Sequence, residues 1–229
     1  MTSKAINTIY SDFFAGLNSF YIPSDWADND TVILTPGIEV GEGPQYYRKI
    51  LALNVQSKQA KELSLDQNAR SISVESNGAG VVYTTFVYDA TKKTHTSTLV
   101  LKFLDGTTKI LQNSSQLKYE SSAWLDSESI AVLVTTIQSV KDCDYDVCIK
   151  GKRAVQIISI KTGNVQNIAL PVEPSIILFG DVQNLYYLSN IETPNTYLKS
   201  TALLHSYNVA KGEDKVIFQS PRSINLISQ

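Results

Sequence analysis

Cysteine, histidine and tryptophan occur only twice each among the 229 residues of this sequence, and methionine once, at position 1. Two cysteines fall short of the four ligands a structural zinc site needs. Charged residues make up only 18% of the chain; 20 lysines and arginines against 22 acidic residues leave a formal net charge of −2. So even a balance, with no block of like charge, removes the electrostatic basis for binding nucleic acid or an anionic membrane. There is no run of 18 apolar residues, so no helical membrane span is expected. Met1–Lys4 leads into Asn7, Ser11 and Asp12 rather than into the apolar core of a signal peptide. An exported form would take its leader or anchor from outside this sequence. The patterns G-x-S-x-G, H-E-x-x-H and G-x-x-x-x-G-K-[ST] do not occur either. Serine-hydrolase, zinc-protease and P-loop chemistry therefore lack their usual anchors, no cofactor is expected, and the reading leans away from an enzyme.

What the sequence does hold is a repeat. Val155–Leu170 reads as a strand, a polar turn (Lys161, Thr162, Gly163, Asn164) and a second strand. The same device recurs at 50–65, 99–111 and 203–218, and the last apolar residues before the turns, Val55, Leu104, Ile160 and Val209, lie 49, 56 and 49 residues apart. A second unit, again strand, tight polar turn and strand, covers 19–36, 70–86, 118–136 and 174–190. Its second strands centre on Ile33, Val82, Val132 and Tyr186, runs too short for helices and rich in β-branched and aromatic residues. Together the units give four strands, A to D, per repeat.

The fold class expected is all-β: a β-propeller of about four four-stranded antiparallel blades, at about 19–65, 66–113, 114–170 and 171–219, preceded by a lead-in at 1–18. Continuous apolar runs on strands B and C suit sheets buried on both faces. Strand D is more polar, and Lys61, Lys109 and Lys215 are expected there as edge residues that discourage pairing with other chains. Ser223-Ile224-Asn225-Leu226 repeats the opening of strand A, as in Ser71–Val74 and Ser175–Leu178. The expectation is a piece of a larger propeller, the alternative being an unusual closure sealed by this extra strand.

These units resemble the repeats of TolB-like propellers and of the N-terminal propellers of prolyl oligopeptidase and dipeptidyl peptidase relatives. The residues that carry the resemblance are Trp26-Ala27-Asp28 before Val32–Leu34, Trp124-Leu125-Asp126 before Ile130–Val134, Leu104-Asp105-Gly106 and Lys161-Thr162-Gly163. It spans most of 19–229, although no Ser-Pro-Asp-Gly is intact and blades two and four lack the tryptophan. The resemblance implies a propeller and carries over no catalytic residue, because the catalytic groups of those peptidases lie outside the propeller.

Function is therefore sought on surfaces. The longest connections expected are the B–C loops, 37–45, 89–97, 140–153 and 191–200, which repetition places on one rim. Binding candidates on that rim are Tyr46, Tyr47, Lys92, Lys93, His95, Tyr145, Arg153 and Tyr197, tyrosine offering apolar area and a polar tip with little rotamer entropy. Cys143 and Cys148, with four residues between them in the third loop, suit a disulfide across a hairpin, worth about 2 kcal/mol and implying an oxidising, extracytoplasmic compartment; two reduced thiols are the alternative. Asp142, Asp144 and Asp146 resemble the start of a calcium loop, but Val147 replaces the turn glycine and Arg153 the closing glutamate, so a solvated acidic tip is the competing reading. His205, on strand C, is expected to be packed or hydrogen-bonded. The leading expectation is a non-catalytic module binding a protein or glycan partner through the B–C rim. The alternatives are the propeller portion of a serine-peptidase-like enzyme and a structural subunit of a larger assembly.

Overall fold

The structure, a computed structural model, describes residues 21–27, 29–36, 49–74, 80–89, 91, 94–137, 151–191 and 201–220. Every regular element among them is a strand, and the sixteen strands form four sheets, each antiparallel and each in chain order. Blade one holds β1 (Tyr21–Trp26), β2 (Thr31–Pro36), β3 (Lys49–Asn54) and β4 (Gln59–Ser64). Blade two holds β5 (Ala69–Val74), β6 (Gly80–Asp89), β7 (Thr94–Phe103) and β8 (Thr108–Ser114). Blade three holds β9 (Leu117–Asp126), β10 (Ser129–Thr136), β11 (Arg153–Ser159) and β12 (Val165–Ile168). Blade four holds β13 (Ile176–Gly180), β14 (Asn184–Ile191), β15 (Thr201–Asn208) and β16 (Glu213–Gln219). The chain is an all-β propeller built from these four-stranded blades, with strands paired within each repeat rather than between repeats.

The turns follow from side chains that satisfy the backbone locally. Asp66, Asp89, Asp105, Asp126 and Asp181 each accept, through Oδ1, the N–H two residues further on, at 2.7–3.0 Å. The C–D turns need one residue in the left-handed region. Gly106 (φ 102°), Gly163 (74°) and Gly212 (70°) supply it in blades two to four, where blade one uses Lys58 (56°).

Strands B and C of blades two and three are largely buried on both faces because each of these sheets is packed between two neighbours. Ile33, Ile50, Ala52 and Leu63 of blade one meet Val74 and Val81 of blade two. Val82, Leu99, Leu101 and Leu111 of blade two meet Tyr119, Trp124, Ile130 and Ile158 of blade three. Ala131, Leu133, Val155 and Ile168 of blade three meet Ile177, Leu185, Tyr187 and Tyr207 of blade four. Polar bonds cross the same joints: Trp124 Nε1 donates to the Ser73 carbonyl (3.3 Å), and the Ile177 N–H to Ser121 Oγ (3.2 Å). Blades three and four approach closely at Gly180, where a Cβ would lie 2.7 Å from the Trp124 carbonyl oxygen.

Three expectations change. The edge lysines do more than repel other chains: Lys61 Nζ donates to the Leu104 carbonyl and Lys109 Nζ to the Ile160 carbonyl, both at 2.6 Å, so each ties strand D to the following blade. The connection expected at 89–97 shrinks to 90–93, because alternation through Tyr88 and His95 extends β6 and β7 to ten residues each; His95 is a strand residue opposite Tyr88. Arg153 likewise leaves its expected loop and opens β11 opposite Thr135.

Candidate functional site

In every blade, strand B ends and strand C begins at the end of the sheet where strand A starts. The connections 37–48, 90–93, 137–152 and 192–200 all leave from that end. Tyr46, Tyr47, Lys92, Lys93, Tyr145, Tyr197, Cys143, Cys148, Asp142, Asp144 and Asp146 lie outside the described residues. His95 and Arg153 are described, and both belong to one strip of side chains along this rim.

The strip begins on the β6–β7 hairpin, the longest among the described residues. Phe86, Tyr88 and His95 share a face, since Tyr88 stands opposite His95 and Phe86 lies two residues along β6. The His95 ring stacks on Phe86 (centroids 5.0 Å apart, 13° between planes) and packs tilted against Tyr88 (4.7 Å, 37°). Phe86 is buried, whereas Tyr88 and Val87 are 47% and 42% exposed, an apolar and aromatic tip offered to solvent. Lys118 of β9 places its ammonium 5.5 Å from the Phe86 centroid, within cation–π range. The joint beneath is fixed by Ser97, whose hydroxyl donates to the Thr85 carbonyl (3.1 Å) and accepts the Tyr119 N–H (3.0 Å).

Charge alternates from there. Glu120 pairs with Lys118 (3.6 Å) and with Arg153 Nε (3.2 Å), and the Arg153 N–H donates to Glu173 Oε1 (3.1 Å). The result is an aromatic knob on blade two followed by two cations and two carboxylates across blade three to the blade-four connection. Such a surface suits recognition, with Tyr88 as the anchor and paired charges setting register. Sequence reading named His95 and Arg153 but not Phe86, Tyr88, Lys118, Glu120 or Glu173. The available signal was Lys118-x-Glu120 at the start of a strand, a spacing that puts both side chains on one face.

His205 sits elsewhere, within blade four. Its Nδ1 lies 2.7 Å from Asp214 Oδ2, its Nε2 lies 2.9 Å from Ser189 Oγ, and its ring stacks on Tyr187 at 4.5 Å. The Tyr187 hydroxyl donates to Asp214 Oδ1 (3.1 Å). Serine, histidine and aspartate in series have the connectivity of a hydrolase triad. Here His205 is 2% and Ser189 4% exposed, packed on the face that meets blade three, so the hydroxyl has no room for a substrate carbonyl. The chain is a satisfied buried network, in keeping with the packed role expected for His205. Burial pushes the Tyr187 phenol well above the usual tyrosine range, helped by the charge and hydrogen bond of Asp214. Among the described residues no three histidine, cysteine, aspartate or glutamate side chains cluster as metal ligands.

No protein-family model matches the sequence, and no curated protein matches it. Solved structures do. An acylaminoacyl peptidase from Pyrococcus horikoshii matches at 13% identity and a TM-score of 0.55, over 87% of this chain and 32% of its own. The β-propeller domain of the Trilobed protease from Pyrococcus furiosus, described as having an open velcro topology, matches at 13% identity and 0.52, over 87% and 57%. An oligogalacturonate lyase from Vibrio parahaemolyticus matches at 10% identity and 0.51, over 89% and 66%. At these identities the likeness is one of fold. The peptidase propellers among the matches agree with the resemblance read from the repeats, and this chain spans about one third of the acylaminoacyl peptidase.

Proposed function

We propose that the chain is a recognition propeller that binds a protein partner through its B–C rim, with the Tyr88–His95–Phe86–Lys118 strip as the anchor. The observation that supports this most is the half-exposed Tyr88, packed against the His95 ring that itself stacks on buried Phe86. A rigid aromatic anchor beside alternating charges fits a protein surface better than a sugar face, and glycan recognition is the outcome that would redirect the proposal. Cys143 and Cys148 support an extracytoplasmic setting if they are paired; immediate alkylation of both in the untreated native protein would remove that part.

The test is association with proteins of the natural source, quantified for the wild type and for variants. Tyr88→Ala and Lys118→Glu should each weaken capture of the same partner, by about 1–3 kcal/mol for the anchor tyrosine. Ile110→Ser, at an exposed outer-edge position of β8, should leave capture unchanged. Equal capture by all three variants, or loss of capture on glycosidase treatment alone, would count against the proposal.

A second reading is the propeller portion of a larger serine-peptidase-like enzyme. The peptidase matches, which this chain spans only in part, support it. It requires a G-x-S-x-G nucleophile in an α/β domain of the natural polypeptide, since Ser189 is enclosed.

A further inference from the structure

The three joints between successive blades follow one pattern, and blade four carries the same parts with no blade joined to them among the described residues. Ile50, Leu99 and Val155 on strand C, with Leu63, Leu111 and Ile168 on strand D, face the following blade and are all buried. At two joints a strand-D lysine completes the seam, Lys61 on the Leu104 carbonyl and Lys109 on the Ile160 carbonyl. Both acceptors are the last apolar residue before a C–D turn, the repeat position also held by Val55 and Val209.

On blade four the register pairs Leu204 with Phe218, as Ile50 pairs with Leu63 and Val155 with Ile168. Tyr186 takes the place of Ile33 and Val82 on strand B, with Phe179 stacked on it at 4.4 Å. Lys215 follows Val209 at the spacing by which Lys61 follows Val55. Yet Phe218 and Phe179 are 53% and 52% exposed, and Lys215 Nζ bonds no acceptor among the described residues. An aromatic face of this size on a sheet whose equivalents are all covered calls for a covering partner.

We propose that this face seats one further four-stranded blade of the same kind, carried by the same polypeptide, whose C–D turn presents a carbonyl to Lys215. Two observations select this occupant. The sequence Ser223-Ile224-Asn225-Leu226 repeats the opening of strand A. The face of blade one that a second copy would offer in a head-to-tail contact, Val32, Leu34, Leu51 and Leu53, is already buried, which leaves a second copy only a two-fold contact between blade-four faces.

Acetylation of the native protein, read residue by residue by mass spectrometry, tests the assignment. In the polypeptide encoded by the natural message, Lys215 should label about tenfold more slowly than Lys211 of the neighbouring exposed turn, and at a rate like that of Lys109. In the 229-residue chain Lys215 should label as fast as Lys211 at every concentration. Free labelling of Lys215 in the natural polypeptide, including the case of a message that ends after Gln229, would overturn the proposal. So would protection in the 229-residue chain, which would assign the face to a second copy if it grew with concentration and to this chain's own residues if it did not.

Discussion

Removing the Asp214 carboxylate should destabilise blade four more than any other polar truncation in it. Two donors converge on that side chain, His205 Nδ1 at 2.7 Å and the Tyr187 hydroxyl at 3.1 Å, and both rings are almost fully enclosed. A buried donor left without an acceptor costs roughly 1–3 kcal/mol, so Asp214→Ala should cost about 2–6 kcal/mol. Ser189→Ala removes a single hydroxyl partner and should cost about 1 kcal/mol, and Tyr187→Phe a similar amount. Urea unfolding followed by the fluorescence of Trp26 and Trp124 reads the difference. At a slope of about 2–3 kcal/mol/M, Asp214→Ala should lower the midpoint by about 0.7–3 M. Pairing Asp214→Ala with Tyr187→Phe should give less than the sum of the two single effects, because without Asp214 the Tyr187 hydroxyl has already lost its acceptor. A midpoint for Asp214→Ala no lower than that for Ser189→Ala, or strict additivity in the pair, would refute the buried-network reading. It would also reopen the question of what the Ser189–His205–Asp214 series is for.

Three further outcomes follow from the same geometry. The Tyr187 phenol is held neutral in the fold, its pKa raised above 10.0 by burial first and by Asp214 second; the folded state then keeps a proton that the unfolded chain releases, so this contribution is constant below pH 10.0 and falls as pH rises above it. Alkaline unfolding should be less steep in Tyr187→Phe, and an unchanged slope would contradict the assignment. Lys58, left-handed where the other three blades have glycine, predicts that Lys58→Gly raises the unfolding midpoint by about 0.5–1 kcal/mol equivalent, whereas a fall would show that the lysine is not strained there. Gly180→Ala should cost about 1–3 kcal/mol by pressing a methyl group on the Trp124 carbonyl and the Leu125 side chain, and near-wild-type stability would mean that blades three and four are not packed so closely.

The blades were legible in the sequence because strand chemistry is local. Val55, Leu104, Ile160 and Val209 recur at the C–D turns, and aspartate followed by small or polar residues marks most of the others. The rim was legible only as a set of connections. His95 looked like a loop residue, and Tyr88 belonged to no expected element, because strand length depends on cross-strand pairing, here Tyr88 with His95 and Asp89 with Thr94, which no single segment displays. Lys61 and Lys109 read as edge charges because their acceptors, the Leu104 and Ile160 carbonyls, lie 43 and 51 residues away and belong to the backbone. The Ser189–His205–Asp214–Tyr187 network spans three strands, so neither its existence nor its burial shows in any short motif.

The most direct test of the rim as the working surface is photo-crosslinking inside the natural host, with a photoreactive phenylalanine at position 88, 110 or 182. Position 88 is the rim anchor, 110 the outer edge of blade two, and 182 the turn at the far end of blade four. A discrete protein adduct formed from position 88, absent from 110 and 182 and lost on adding Lys118→Glu, is the predicted result. Adducts from 110 or 182 with none from 88 would contradict it.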